Sequence, residues 1–341
     1  MCKVTVVIPN YNGEKYLVPC LASLYEETRA EIKVIVVDNG SKDDSLNRAI
    51  KLYPQTRIIR LDRNYGFCRA VNEGITASNT EYVLLLNNDT LVRKGFVEAL
   101  LRRIERSEKI FSVEAKMLQY QDEARIDSAG TYYNALGWAF ARGKDQSAKK
   151  YNYCVKTFAA CGGAAIYRRK VFDEIGLFDE RHFAYLEDID IGYRARLYGY
   201  VNVYEPKAEV IHVGSASSGS RYNEFKVEHS SKNNIYLIYK NMPTWQIVLN
   251  LPLLIVGFGA KAAFFIKIGL GVTYLKGLAE GVRMCDKKYK VHTEKADWRQ
   301  CLRIQWELWV NVIRRFSDMG EEEYDNYEET TVDCSGIFWI L

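Results

Sequence analysis

Tyr82-Val83-Leu84-Leu85-Leu86-Asn87-Asn88-Asp89 runs a continuous apolar segment straight into three polar residues. A strand with one wet face alternates apolar and polar side chains. This one does not, so it reads as a strand buried on both faces, as in parallel sheets covered by helices. Working outward, residues 4–8, 34–38 and 57–61 are further β-branched runs. The first two end in polar breaks, Pro9-Asn10-Tyr11-Asn12-Gly13 and Asp38-Asn39-Gly40-Ser41. Residues 15–27, 43–52 and 67–77 between them carry helical patterns, with Ser41 and Asp44 at the spacing of a capping box. This alternation predicts an α/β fold of parallel strands joined by crossover helices. In such sheets ligands bind outside the carboxyl ends of the strands, where these polar breaks lie.

A second α/β segment, about 111–225, holds an expected strand at 163–167, a helix from Arg169, the cluster Glu187-Asp188-Ile189-Asp190 with Arg194, and a strand ending at His212. It reads as continuous with the first. From residue 226 the composition changes, with ten Lys and Arg against three Asp and Glu over 226–290. Within this stretch 247–260 is almost wholly apolar. Lys261 and Lys267 interrupt it before the ~20 residues that a bilayer span requires, so a helix lying in one leaflet, its lysines snorkelling, is expected instead. Leu302, Trp306, Trp309, Ile313 and Phe316 recur at helical spacing beside Arg299, Arg303, Arg314 and Arg315, a stripe that suits membrane docking or core packing. Residues 318–341 form an acidic tail with an apolar end.

The 341 residues carry a net charge of +4 with both signs interspersed, and no nucleic-acid signature is present. Eight cysteines without Cys-x-x-Cys spacing suit a reducing compartment, and the N-terminus enters a strand without a signal sequence. A cytoplasmic protein is expected.

Several residues invite chemistry, each with a plainer reading beside it. Asp89 can bind a hard cation near phosphate oxygens, or close an Asx turn. Asp38 can accept from a ribose or base, or serve a turn. Glu187, Asp188 and Asp190 can favour a helix N-terminus, with Asp190 and Arg194 paired at i,i+4. Capping needs one carboxylate and this turn has three, which favours a general base among them. His212 can bind a metal or a phosphate oxygen, or be structural. Gly162 and Gly163 permit close approach of a ligand or tight packing. Gly-x-Gly-x-x-Gly and Walker A loops are absent.

Jointly and in this order, Val6 to Gly13, Val36 to Ser41, Asn64-Tyr65-Gly66-Phe67 with Ala70 and Asn72, Asn87-Asn88-Asp89, the Glu187–Asp190 cluster with Arg194, and His212 resemble the family 2 inverting glycosyltransferases. The likeness is to the rhamnosyltransferase-like branch that builds bacterial surface polysaccharides. The resemblance implies a GT-A fold, Rossmann-like, with a mostly parallel central sheet flanked by helices and a C-terminal helical, membrane-interfacial appendage. The expected division is a catalytic domain at 1–225 (nucleotide-sugar half about 1–110, acceptor half about 111–225), a helical basic region at 226–317, and the tail. It further implies that Pro9, Asn10, Tyr11, Asp38, Asn39, Asn64, Gly66, Phe67, Asn72 and Asn88 bind the nucleotide. Asp89 and His212 would hold Mn²⁺ or Mg²⁺, and Asp188 would be the catalytic base. Gly162, Gly163, Glu187, Asp190 and Arg194 would serve the acceptor side or support it. The expected partners are a dTDP- or UDP-linked sugar, a saccharide acceptor on polyprenyl diphosphate, and the inner face of the cell membrane; a homodimer is compatible.

Asn87 stands where the family's metal motif usually has a carboxylate, which predicts weaker metal binding. Gln300-Cys301-Leu302-Arg303-Ile304 lacks the Trp of the processive Gln-x-x-Arg-Trp motif, so addition of one or few sugars is expected. The competing readings are a catalytically inactive nucleotide-sugar or glycan-binding subunit of a membrane glycosylation complex, and a sugar-nucleotide pyrophosphorylase, which would need a glycine-rich basic loop near the N-terminus.

Overall fold

A computed structural model describes residues 2–214, 222–291 and 298–316. The acidic tail, the apolar end and Ser215, Ser217 and Ser218 lie outside the described residues.

In chain order the elements are β1 (Val4–Asn10), α1 (Leu17–Glu27), β2 (Ile32–Asn39), α2 (Ser45–Leu52), β3 (Arg57–Leu61), α3 (Phe67–Ala77), β4 (Tyr82–Leu86), β5 (Thr90–Val92), α4 (Phe96–Ile104) and β6 (Ile110–Gln119). There follow β7 (Ile126–Ser128), β8 (Thr131–Tyr133), β9 (Ala139–Ala141), β10 (Val155–Thr157), β11 (Ala164–Arg168), α5 (Arg169–Ile175), α6 (Glu187–Leu197) and β12 (Val201–His212). The chain continues with α7 (Glu224–Asn241), α8 (Thr244–Lys267), α9 (Gly271–Met284) and α10 (Trp298–Phe316).

The main sheet has the order β10-β12-β6-β11-β4-β1-β2-β3. β3, β2, β1 and β4 are parallel, as the apolar runs require. β11 is antiparallel to both β4 and β6, β6 is parallel to β12, and β10 is antiparallel to β12, so along this order β11 is reversed inside the sheet and β10 at its edge. β4 is buried at every position, as its unbroken apolar sequence demands. Cores lie on both faces of the sheet. The expected capping box does not form: the residue before α2, Asp44, makes no side-chain cap. Ser41 Oγ instead accepts from Asn10 Nδ2 and Asn12 N.

The expected boundary near residue 225 falls at the start of α7, which is bonded into the preceding unit. Lys240 and Asn241 reach Asp190 on α6. α8 continues through Lys261 to Lys267 as one helix of 24 residues. Among the described residues it alone is long and apolar enough to cross a membrane by length and composition, with mean hydropathy 1.9, and 17% of that window is buried. α10 buries Cys301, Ile304, Gln305, Leu308 and Asn311. The stripe read from the sequence is therefore its outward face: Leu302, Trp306, Trp309, Ile313 and Phe316 are all exposed, beside exposed Val248, Ile255 and Val256 of α8 and Val272 of α9. A buried amide pair, Asn250 with Gln305, ties α8 to α10.

Candidate active site

The ends of β1, β2 and β4 meet in one cleft of about 2390 Å³. Pockets for a single drug-sized ligand occupy ~300–1,000 Å³, so this one has room for two substrates. One wall is a network of short polar side chains. Asn10 Nδ2 reaches Asp38 Oδ1 at 3.0 Å, Ser41 Oγ at 3.2 Å and Ser45 Oγ at 3.0 Å. Its Oδ1 accepts from Asn88 Nδ2 at 2.8 Å. Asn39 Nδ2 donates to Asn64 Oδ1 and to the Gly66 carbonyl, both at 3.0 Å. Gly66 has φ +86°, and a Cβ there would lie 2.5 Å from the Phe183 carbonyl, so glycine is required for the loop to approach the acidic turn.

At the rim, His212 Nε2 lies 3.5 Å from Asp89 Oδ1, and Nδ1 lies 2.8 Å from Asp127 Oδ2. Burial lowers the His212 pKa, but hydrogen bonds and charge from Asp127 and Asp89 outweigh it and raise it to about 9. No group of three or more His, Cys, Asp and Glu side chains able to hold an ion occurs among the described residues. Two donors do fit a cation whose remaining ligands are substrate phosphates and water, the usual arrangement for Mg²⁺-type ions. Asp127 on the far ring nitrogen orients the imidazole as an outer carboxylate does in metal sites.

The opposite wall carries the acidic turn. Phe183, Tyr185 and Leu186 have positive φ (61°, 73° and 66°), a backbone that non-glycine residues adopt at a cost of ~1–3 kcal/mol each unless their surroundings enforce it. Asn233 of α7 enforces it, sharing its two N–H groups among the carbonyls of His182, Ala184 and Tyr185 at 2.8 Å each. The turn delivers Glu187 and Asp188 into the cleft, both half-buried. Burial raises the pKa of each, and the neighbouring Asp188 charge raises Glu187 further. Asp188 Oδ1 accepts from Ile189 N at 2.8 Å, so that oxygen is fixed by its own helix. Glu187 Oε2 is buried with no hydrogen-bond partner among the described residues.

Asp190, one step on, is the converse. Burial would raise its pKa, but Arg194, Lys240 and His182 hold it far below the usual carboxylate range. Its Oδ2 accepts from Arg194 Nη2 at 2.8 Å and Lys240 Nζ at 2.9 Å, and its Oδ1 from Asn241 Nδ2 at 2.8 Å.

Of the residues anticipated from sequence, Pro9, Asn10, Tyr11, Asn39, Asn64, Gly66, Phe67, Asn88, Asp89, Gly162, Gly163, Glu187, Asp188 and His212 line this cleft. Asp38 and Asn72 lie behind the wall. Asp38 is spent on Asn10 and Ser41, and Asn72 ties α3 to residue 178. Asp190 and Arg194 lie beneath the turn as its buried support. Sequence reasoning missed Asp127, Asn233, Lys240 and Glu114. Glu114 is buried, burial raises its pKa to about 7, and it accepts from Ser128, Thr131 and Cys161 N. A lone acid inside the apolar stretch Ile110-Phe111-Ser112-Val113-Glu114-Ala115 was the signal available for it.

The sheet order with β11 reversed between parallel strands, and a polar cleft at the strand ends, define a GT-A nucleotide-sugar fold. Solved glycosyltransferases share it. GalNAc-T7 with UDP, GalNAc and Mn²⁺ superposes with TM-score 0.58 at 17% identity over 70% of this chain, which spans about half (48%) of that one. Staphylococcus aureus TarS 1-349 with UDP-GlcNAc gives 0.56 at 16% identity over 96% of this chain and 100% of that one. The chain belongs to glycosyl transferase family 2, whose sequence profile matches residues 5–176. Among curated relatives, N-acetylglucosaminyl-diphospho-decaprenol L-rhamnosyltransferase of Mycobacterium tuberculosis is 27% identical over 267 residues, 72% of this chain and 87% of that protein. Glycosyltransferase GlyG of Streptococcus pneumoniae is 30% identical over 105 residues, 30% of this chain and 35% of that protein.

Proposed function

We propose that this glycosyltransferase moves a sugar, rhamnose or another hexose, from a dTDP- or UDP-linked donor to a saccharide carried on polyprenyl diphosphate, with inversion, at the inner face of a bacterial membrane. The observation that carries this reading is the single cleft in which half-buried Asp188 stands opposite the polar wall and the Asp89–His212 pair. The mycobacterial relative's name, which specifies a diphospho-decaprenol-linked acceptor, supports the lipid carrier.

In this mechanism Asp188 accepts the proton of an acceptor hydroxyl. Its raised pKa makes it a stronger base than a free aspartate while leaving it ionised near neutrality. The oxygen attacks the anomeric carbon as the bond to the nucleoside diphosphate breaks, and the leaving group departs on the opposite side. Asp89 and His212 are the residues to hold Mn²⁺ or Mg²⁺, which when bound supplies positive charge against the diphosphate. The apolar outward faces of α8, α9 and α10 would rest on the membrane and keep the cleft beside its lipid-linked substrate.

The test is a thermal-shift series with UDP, dTDP, GDP and CDP, with and without Mn²⁺, on wild type and Asp89→Ala. Stabilisation by one nucleotide that needs Mn²⁺ and vanishes in the variant supports the reading. No shift with any nucleotide overturns it in favour of a non-catalytic binding subunit.

A further inference from the structure

Lys261 departs from the pattern of its helix. The inward stripe of α8 is formed by Gln246, Asn250, Leu254, Gly257 and Phe265, all buried. Lys261 falls on this stripe, four residues after Gly257 and four before Phe265. Its side chain lines the cleft, so it is not one of the snorkelling lysines the sequence suggested. It has no ion pair or hydrogen bond among the described residues, and burial pulls its pKa down to about 8. Half-buried and facing the cleft, the Lys261 ammonium loses part of its hydration and favours an anion beside it.

Its neighbours locate that anion. Phe265 stacks on the ring of Tyr274 with centroids 5.0 Å apart, and the Tyr274 hydroxyl is buried without a partner among the described residues. Tyr222 packs against Phe265 at 5.9 Å, and Phe225, three residues on, meets Tyr185 of the catalytic turn at 6.2 Å. These rings and Lys261 line the same cleft as the acidic turn, and α8 and α9 also carry exposed apolar side chains. A ligand in this part of the cleft can meet the carboxylates of the acidic turn, the aromatic rings and the cations Lys226 and Lys261, with apolar helix surface on α8 and α9.

We propose that Lys261, together with Tyr274, which stacks on Phe265 one turn further along α8, receives a phosphoryl group of the lipid-linked acceptor in this cleft. This rests on the proposed transfer to a prenyl-diphosphate saccharide, whose sugar, phosphate and hydrocarbon match the acidic turn, the lysine and the apolar helices in kind. Two other sources of phosphate are the donor's own diphosphate and the headgroup of an anionic phospholipid.

The experiment measures binding of farnesyl diphosphate and of farnesol to the full chain in detergent micelles by calorimetry. In parallel it measures binding of UDP and dTDP, and of phosphatidylglycerol vesicles. The variants are Lys261→Met, Lys261→Arg and Tyr274→Phe. Wild type should prefer farnesyl diphosphate over farnesol by ~10- to 100-fold, the scale of a charge-assisted hydrogen bond. Lys261→Met should remove the preference, Tyr274→Phe should reduce it and Lys261→Arg should keep it, with nucleotide and vesicle binding unchanged. Equal wild-type affinity for the two prenyl compounds, or a preference that survives Lys261→Met, overturns the proposal. So does a Lys261→Met effect confined to nucleotides or to vesicles. Nucleotide binding that persists when prenyl-diphosphate selectivity is absent means this inference has failed while the transferase reading stands.

Discussion

On the wall built from the ends of β1, β2 and β4, the polar side chains satisfy one another: Asn10 with Asp38, Ser41, Ser45 and Asn88, and Asn39 with Asn64 and Gly66. On the wall built from α6, α8 and α9 they do not. Glu187 Oε2 and the Tyr274 hydroxyl are buried without partners, and Lys261 faces the cleft with no counter-charge among the described residues. The first wall is preorganised, holding a fixed shape before any ligand arrives. The second keeps polar groups whose partners the substrate must bring, and its rigidity comes from below, through Asp190 and Asn233.

The contrast breaks most sharply at two carboxylates two residues apart. Asp188→Asn should lower kcat by ~10²- to 10⁴-fold while calorimetry finds nucleotide affinity unchanged. Equal loss of both would make Asp188 part of the fixed frame. In wild type, kcat/KM should fall with acid along a limb set above the ordinary aspartate range, because burial raises the Asp188 pKa and its protonated form cannot accept a proton. A pH–rate profile reads this directly.

Asp190→Asn should instead act on the fold, destabilising it by ~3–5 kcal/mol because Lys240 and Arg194 are left as buried cations. Asp190 is held low, so the stability it contributes is present above its unfolded pKa of ~3.9 and is lost as pH falls toward the folded value. The variant should flatten the acid side of a Tm-against-pH curve. On the preorganised wall, Asn10→Ala should cost ~2–3 kcal/mol by denaturant titration, since Asp38 and Asn88 both lose a partner.

The smallest effect sharpens the contrast by its sign. Lys261→Met should raise the stability of the free protein, by about 1 kcal/mol or less, because no existing interaction is lost. The folded pKa of about 8 lies below the unfolded ~10.4, so the wild type gains stability as pH rises through that window and the variant does not.

What the sequence disclosed follows the same division. The strands, their exits and the acidic turn were legible because each is carried by contiguous residues: an apolar run, then a polar break. Asp127, Asn233 and Lys240 were not, because their roles depend on partners brought together only by folding. Lys240, for instance, lies 50 residues from Asp190. Periodicity revealed the stripe of α10 but not that it faces outward, since a stripe looks the same from either side. Lys261 looked like an interruption, because only the burial of Gly257 and Phe265 fixes which way it points. Asp38 stood at a strand exit as expected, and Asn10 had already taken its oxygen.

Asn233 also fixes when the acidic turn can be held. Tyr185 leaves the ribosome 48 residues ahead of Asn233, an interval of roughly 2–10 s at ordinary rates of synthesis. β12 emerges only partway through that interval, and until Asn233 follows, residues 183–186 are without the amide that bridges three carbonyls of their turn. The acidic turn therefore takes its held shape only once α7 has been made, after every strand of the sheet.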